Sequence, residues 1–322
     1  RLGRRVDQVE FHPSYHALMG AAAQAGLHGS PWDLAAGEGA HLRRAAAFML
    51  FTEAEPSILC PISMTYAVLP ALRGNPAVFE AWAPGLMARA YDPEFKLYRH
   101  KRGLTMGMGM TEKQGGSDVR ANTTRAVADG VDAWGRRFAL TGHKWFMSAP
   151  MCDAFLVLAQ APGGLSCFLL PRWRPDGSKN PLQVLRLKRK MGNVSNASSE
   201  TELRGALAWM VGDEGRGVRT IIEMVAMTRF DCMVGSAAGQ RAALASCGKV
   251  AFSQHHRERD EVRTPHIQAV AAHVDEVVER FPVHGLGPSG ALRQRAHPLG
   301  IRLLLEHDGP GACQHHRKTV GP

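Results

Sequence analysis

The 322-residue sequence contains no run of about 18 apolar residues, which is the length that a membrane-spanning helix needs. It also has no basic start followed by a short apolar stretch, so it does not show the pattern of a secretory signal peptide. Six cysteines are present, but no two are closer than fifteen residues. This spacing excludes a CxxC zinc or redox motif and gives no sign of a disulfide framework. We therefore expect a cytoplasmic protein with reduced cysteines, no membrane contact and no metal site.

Acidic residues are fewer than basic ones, with 29 Asp and Glu against 39 Lys and Arg and a formal net charge of +10. This excess is compatible with nucleic acid, a phosphorylated cofactor or acidic lipid as a partner, or simply with a mildly basic surface. The densest basic run, residues 172–190, alternates like a strand with a solvated basic face or, alternatively, a surface that contacts phosphate. Hydrophobic residues make up 45% of the chain, which excludes a disordered protein, and the length predicts two or three domains.

Two periodicities divide the first two thirds of the sequence. In residues 1–104 apolar side chains recur at helical spacing, and Ser30 and Asn75 each precede a proline as possible N-caps. Residues 105–212 contain short β-rich runs joined by tight turns, such as the Pro-Gly-Gly at 162–164. These patterns predict a helical N-terminal domain followed by an antiparallel β-domain without crossover helices.

The remaining sequence falls into two unlike parts. Residues 213–245 return to helical spacing and predict the start of a helical C-terminal domain. Residues 246–322 hold nine of the fifteen histidines, without metal-ligand spacing, and we expect a poorly ordered tail there. The order of helices, sheet and helices predicts the α+β class.

The most informative segment is residues 106–118 (MGMGMTEKQGGSD). Gly115 and Gly116 permit a close backbone approach to a ligand, and Thr111 and Ser117 add hydroxyls on either side. The segment is neither a dinucleotide fingerprint nor a P-loop, because the third glycine and the terminal Gly-Lys-Ser/Thr are missing. From these residues alone, a loop for a phosphate or a polar ring and a purely structural turn both remain open.

A second segment, residues 142–148 (GHKWFMS), ends a β-run with an indole. Trp145 offers a flat face on which a ring ligand can pack, and the Ser148 hydroxyl lies nearby in sequence. The alternative is that Trp145 is an ordinary core aromatic.

Together these segments resemble the flavin-binding signature of the acyl-CoA dehydrogenases. The resemblance covers residues 3–245 and rests on the segments 110–118 (MTEKQGGSD), 144–148 (KWFMS) and 212–217 (GDEGRG). Three further segments are more similar to the AidB-like adaptive-response branch, whose flavoproteins are linked to DNA alkylation damage. They are 122–125 (NTTR), 192–198 (GNVSNAS) and 227–231 (MTRFD).

The resemblance implies an acyl-CoA dehydrogenase-like α+β fold, with a helical N-terminal domain, a central antiparallel β-domain and an incomplete helical C-terminal domain. It also implies non-covalent FAD, an acyl-CoA-type substrate, duplex DNA as a possible partner and a family homotetramer. Thr111 would bond the flavin ring, Ser117 would bind the pyrophosphate side, and residues 145–148 would pack against the isoalloxazine. The implied cofactor set is Met108, Gly109, Met110, Thr111, Gly115, Gly116, Ser117, Trp145, Phe146, Met147 and Ser148, with Arg229 on the substrate side.

The catalytic glutamate of the family is not found. Dehydrogenation of an acyl-CoA needs a carboxylate that removes the α-proton, but the position before Arg229 is Thr228, and Glu306 lies in the tail without family resemblance. An acyl-CoA dehydrogenase-like oxidoreductase, a non-catalytic flavin-containing protein that protects duplex DNA, and an inactive fragment therefore stay open. Because the family pattern stops abruptly, we expect truncation at both ends and a reading-frame shift near residue 246.

Overall fold

The computed structural model describes residues 5–33 and 37–258, with side chains described up to residue 247 in the last helix. Five helices are α1 (Pro13–Gln24), α2 (Ala40–Ala54), α3 (Leu59–Leu72), α4 (Pro76–Met87) and α5 (Gly217–Glu258). Seven strands are β1 (Met106–Gly109), β2 (Arg125–Asp132), β3 (Gly135–Ser148), β4 (Ala154–Ala161), β5 (Gly164–Pro171), β6 (Leu182–Leu187) and β7 (Ser198–Val211). Residues 259–322, and with them most of the predicted tail, lie outside the described residues.

The two proline-based N-cap predictions have different outcomes. Asn75 caps α4, because its side-chain oxygen accepts a hydrogen bond from the Val78 amide at 3.1 Å. The prediction for Ser30 was wrong, since residues Ser30–Trp32 form a single 3-10 turn without a side-chain cap. There the Trp32 indole donates to the carbonyl of Tyr66 at 2.9 Å, so the segment packs against α3 and does not start a helix.

All seven strands form one sheet in the order β1-β4-β2-β3-β7-β5, and β6 pairs with β7. An additional pairing between β4 and β5 closes the five strands β4, β2, β3, β7 and β5 into a ring. Five pairings are antiparallel, but β1 and β2 both run parallel to β4. The domain is therefore mixed, which corrects the expectation of a purely antiparallel sheet. Neither β1 nor β2 is joined to β4 by a hairpin, so the connection does not force alternating directions.

The main hydrophobic core lies between α3, α4 and the inner face of the sheet, and a smaller core joins α1, α2 and the start of α3. Nearly the whole length of α3 is buried, which agrees with its almost continuous apolar sequence. Helix α5 packs across α2 and α3, where the buried Arg44 guanidinium is paired with Asp231. The helix continues through the predicted boundary at residue 245 to Glu258. No helix of the described ranges has the length and apolar character needed to cross a membrane.

Candidate cofactor site

A β-bulge brings the two motif segments together. The pairing of β3 with β7 shifts between Lys144 and Met147, so that Trp145 and Phe146 face the single residue Glu200. Bulges release one strand residue from its ladder and re-aim its groups. Here the Trp145 amide donates to the Thr111 carbonyl at 2.8 Å. The loop that follows β1 is thereby bonded to the end of β3.

A buried ion pair lies directly behind this backbone bond. Lys144 Nζ is 2.7 Å from Glu112 Oε1 and donates a second bond to the Leu158 carbonyl on β4, also at 2.7 Å. Burial lowers the pKa of Lys144, and the charge of Glu112 opposes that shift. Burial acts to raise the pKa of Glu112, but the charge of Lys144 and hydrogen bonds from Lys144, Thr124 and Thr123 hold it below its ordinary value. The Glu112 carboxyl is therefore ionised at neutral pH.

The glycines of the loop keep the Thr111 hydroxyl uncovered. Gly115 has a φ of +109°, a conformation that favours glycine, and a Cβ atom added to Gly116 would lie 3.0 Å from Thr111 Oγ1. Thr111 is half-buried and Ser117 is exposed, and within the part of the chain that the structure describes neither hydroxyl makes a side-chain hydrogen bond. Two free hydroxyls beside a glycine pair fit the ring and pyrophosphate groups of a flavin dinucleotide.

The aromatic end of β3 carries a cation on its surface. Trp145 is half-buried and Phe146 is 41% exposed, and Lys188 Nζ lies 3.3 Å from the centroid of the Trp145 ring. Lys188 is held by Glu200 at 2.8 Å, and Arg186 contacts the same carboxylate at 2.7 Å. Hydrogen bonds from Arg186 and Lys188 lower the pKa of Glu200 to about 2. The site is therefore both aromatic and positively charged, which suits an anionic ring ligand.

Not every residue implied by the resemblance points toward this site. Met147 is fully buried, and its side chain packs beside Gly109, where an added Cβ would meet Met147 at 3.1 Å. The Ser148 hydroxyl is 3.2 Å from that of Ser198. Arg229 is exposed on α5 and has no described contact with the loop or with the end of β3. Met108 and Met110 are half-buried and pack against the core.

A cavity of about 310 Å³ opens beside the loop that follows Ser148. Its walls include Tyr15, His16 and Tyr91, and the ring nitrogen Nδ1 of His16 lies 2.8 Å from the Tyr91 hydroxyl. Ala149, which also lines the cavity, has a φ of 51°. No sequence pattern indicates this cavity, because its residues come from four distant segments without a shared motif. Glu112, Lys144, Lys188 and Glu200 were also not predicted as site residues, although Glu112 and Lys144 lie within the motif segments 110–118 and 144–148.

Comparisons with known proteins agree with this architecture. Residues 1–93 match the adaptive response protein AidB N-terminal domain, and residues 107–206 match the acyl-CoA dehydrogenase middle domain. The structure of Caenorhabditis elegans ACDH-11 in complex with C11-CoA is 30% identical, with a TM-score of 0.65 over 74% of this chain and 41% of that chain. An acyl-CoA dehydrogenase complexed with FAD from Bacillus anthracis, 19% identical with a TM-score of 0.55 over 78% of this chain and 40% of that one, shows the fold alone.

The chain belongs to the acyl-CoA dehydrogenase family. Within it, the chain falls in the AidB branch, since it is 49% identical to AidB of Escherichia coli (strain K12) over 256 residues, or 79% of this chain. It spans about half or less of the length of the curated relatives that it matches, 46% of AidB and 39% of Caenorhabditis elegans acyl-CoA dehydrogenase family member 11.

Proposed function

We propose that this chain binds FAD non-covalently between the loop at 110–118 and residues 145–148, as part of a protein that acts on an acyl-CoA thioester. The observation that carries the proposal concerns Thr111. Its hydroxyl lies beside the glycine pair of the loop, and its backbone carbonyl accepts a hydrogen bond from the amide of Trp145. Family membership supports it, and so does the relative solved with C11-CoA.

Each group in the loop has a distinct part in this proposal. The Thr111 hydroxyl donates to the flavin ring, while the Ser117 hydroxyl and the backbone around Gly116 receive the pyrophosphate. Lys188 adds positive charge over the indole of Trp145, where it favours a ring that gains negative charge. Bound FAD supplies a hydride acceptor for the substrate.

Thr228 stands before Arg229, and its hydroxyl donates to the Val225 carbonyl at 3.0 Å, so it offers no base near neutral pH. The proposed contribution of this region is cofactor binding.

Absorption spectra and quenching of FAD fluorescence test the proposal directly. We expect purified protein to bind FAD and to show a bound-flavin spectrum. Thr111→Val keeps the side-chain shape but removes the hydroxyl, and it should weaken FAD binding about 5- to 10-fold, the effect of one lost hydrogen bond. Thr52→Val, which removes a hydroxyl bonded within α2, is the matched control and should leave FAD affinity unchanged. A protein that shows no flavin absorption after incubation with excess FAD and removal of the free cofactor contradicts the proposal.

A second candidate function is protection of duplex DNA in the response to alkylation. The net charge of +10 and the match to the adaptive response protein AidB N-terminal domain favour it. Binding through phosphate contacts predicts retention on duplex DNA that falls steeply as salt rises. Retention that is absent at low salt would remove this candidate and leave the FAD proposal intact.

A cytoplasmic location and the homotetramer of the family are proposed on the same resemblance.

A further inference from the structure

The ion pair between Glu112 and Lys144 joins the two halves of the candidate cofactor site. The two residues are 32 positions apart in the sequence, and their side chains are 3% and 0% exposed. Glu112 follows Thr111 directly, and Lys144 precedes Trp145 directly. A contact between the two side chains therefore fixes the distance between the two residues proposed to bind the flavin ring.

The Glu112–Lys144 pair also belongs to a larger network of hydrogen bonds. Besides Lys144, four donors reach the Glu112 carboxylate: the amides and the hydroxyls of Thr123 and Thr124. Lys144 in turn bonds the Leu158 carbonyl, so the loop, β3 and β4 meet at one point. A buried ion pair gives little or no net stability over an apolar pair of similar volume, because both charges lose their hydration. A directional network of this kind instead restricts the geometry of the groups that it joins.

We propose that Glu112 and Lys144 are positioning residues, which form a clasp that holds Thr111 and Trp145 in the arrangement that binds FAD. This inference rests on the proposed function. Both side chains of the clasp are buried, so the clasp is not proposed to contact the cofactor itself. It acts through the backbone bond between Trp145 and Thr111, which needs the loop to stay close to the β-bulge.

Three clasp variants test this role: Glu112→Gln, Lys144→Met and the double variant that carries both substitutions. Each single variant leaves one buried partner unmatched, whereas the double variant removes both charges and should regain thermal stability. FAD affinity should fall about 10- to 100-fold in both single variants, as expected when supporting contacts are lost and site residues shift. The decisive expectation is that the double variant regains stability without regaining FAD affinity or the absorption and circular-dichroism bands of the bound flavin.

The buried pair of Arg44 and Asp231 provides the matched control. Their atoms Nη2 and Oδ2 are 2.8 Å apart, and neither residue has a described contact with residues 108–118 or 145–148. Asp231→Asn should lower the melting temperature but keep the FAD affinity, the flavin bands and the rise in melting temperature that FAD causes. That ligand-induced rise can be measured even for a destabilised variant, and in the clasp variants it should shrink.

The outcomes separate the clasp from the proposed function. If the wild-type protein binds FAD and the double variant binds it equally well with the same bands, the pair has only a structural role and the inference is wrong. An Asp231→Asn variant that loses FAD binding as strongly as the clasp variants would also overturn it, since any buried pair would then have the same effect. If the wild-type protein itself does not bind FAD, the proposed function fails, and the clasp inference fails with it.

Discussion

Ala149 occupies a conformation that alanine rarely adopts. Its φ of 51° lies in the left-handed region, where a Cβ atom costs roughly 1–2 kcal/mol. The residue is buried, directly follows Ser148 and lines the cavity beside the candidate site. Its amide donates to the Ala197 carbonyl at 2.8 Å, and this bond holds the turn in place. Strain of this kind persists only where the surrounding structure fixes the backbone, and it often lies next to functional groups.

We therefore expect Ala149→Gly to change the free energy of unfolding by less than about 0.5 kcal/mol, because relief of strain offsets the greater chain entropy of glycine in the unfolded state. The same substitution at Ala159, which is fully buried in β4, has no strain to relieve and should destabilise the protein by about 1 kcal/mol or more. Urea unfolding of the two variants measures the difference. Equal losses at both positions would show that residue 149 is not strained.

At the scale of single residues, a motif names candidates, whereas the direction in which each side chain points depends on backbone geometry. Thr111, Ser117 and Trp145 follow from the motif, and the Trp145 amide donates to the Thr111 carbonyl, but their role toward a cofactor stays a prediction. Met147 was placed in the cofactor set by its position after Trp145, yet it is fully buried. The β-bulge at 145–146 turns it inward, and no sequence pattern shows where a strand adds a residue.

Among the elements, α4 depends on an unusual cap. Asn75 accepts the amide of Val78 through its side-chain oxygen, as an ordinary N-cap does. Its side-chain nitrogen also donates to the carbonyls of Trp134 and Met210, at 2.8 and 2.9 Å. One amide group therefore joins the start of the helix to the β2–β3 connection and to the end of β7.

Asn75→Ala should lower the free energy of unfolding by about 2–3 kcal/mol, since it removes the cap and leaves two carbonyls without their donor. Asn75→Asp keeps the cap acceptor but cannot donate to the two carbonyls. Its loss of unfolding free energy therefore reports the two carbonyl contacts without loss of the cap. Chemical denaturation of the three proteins measures both losses. A loss for Asn75→Ala of only about 1 kcal/mol, typical of a simple cap, would mean that the two carbonyl contacts add nothing.

Strands were predicted where the sequence is continuously apolar or alternates clearly, as in the largely exposed β6. The runs that became β4 and β5 are continuous apolar segments, and almost all of their residues lie in the core. Strand β2 was not predicted, because most of its residues are exposed and its Asp129-Gly130 pair resembles a turn. That strand is held by its pairing with β3, with a register irregularity between Ala128 and Val131. Long-range pairing of this kind leaves little periodicity in the sequence.

At the scale of the whole molecule, the excess positive charge coexists with carboxylates that the fold holds in the ionised form. Hydrogen bonds and nearby cations lower the pKa of Asp92, Glu112, Glu200 and Glu214 against the opposing effect of burial. A carboxyl whose pKa is lower in the folded state than in the unfolded chain stabilises the fold above its unfolded pKa. That stabilisation is lost as the pH falls through the folded pKa.

Glu200 shows the pH range of its own contribution, because its pKa is about 2 in the folded protein and roughly 4.3 in an unfolded chain. Its contribution to the free energy of unfolding is complete above about pH 5 and decreases toward pH 2. At that pH few ionised carboxylates remain to balance the charge of the lysines and arginines. Glu200→Gln cannot ionise, so the stability gap between the wild type and this variant should be widest at pH 6–7 and should close steadily below pH 4. Urea unfolding at constant ionic strength from pH 7 to pH 3 measures the gap. A gap that stays constant over that range would mean that Arg186 and Lys188 do not depend on the charge of Glu200 in the folded protein.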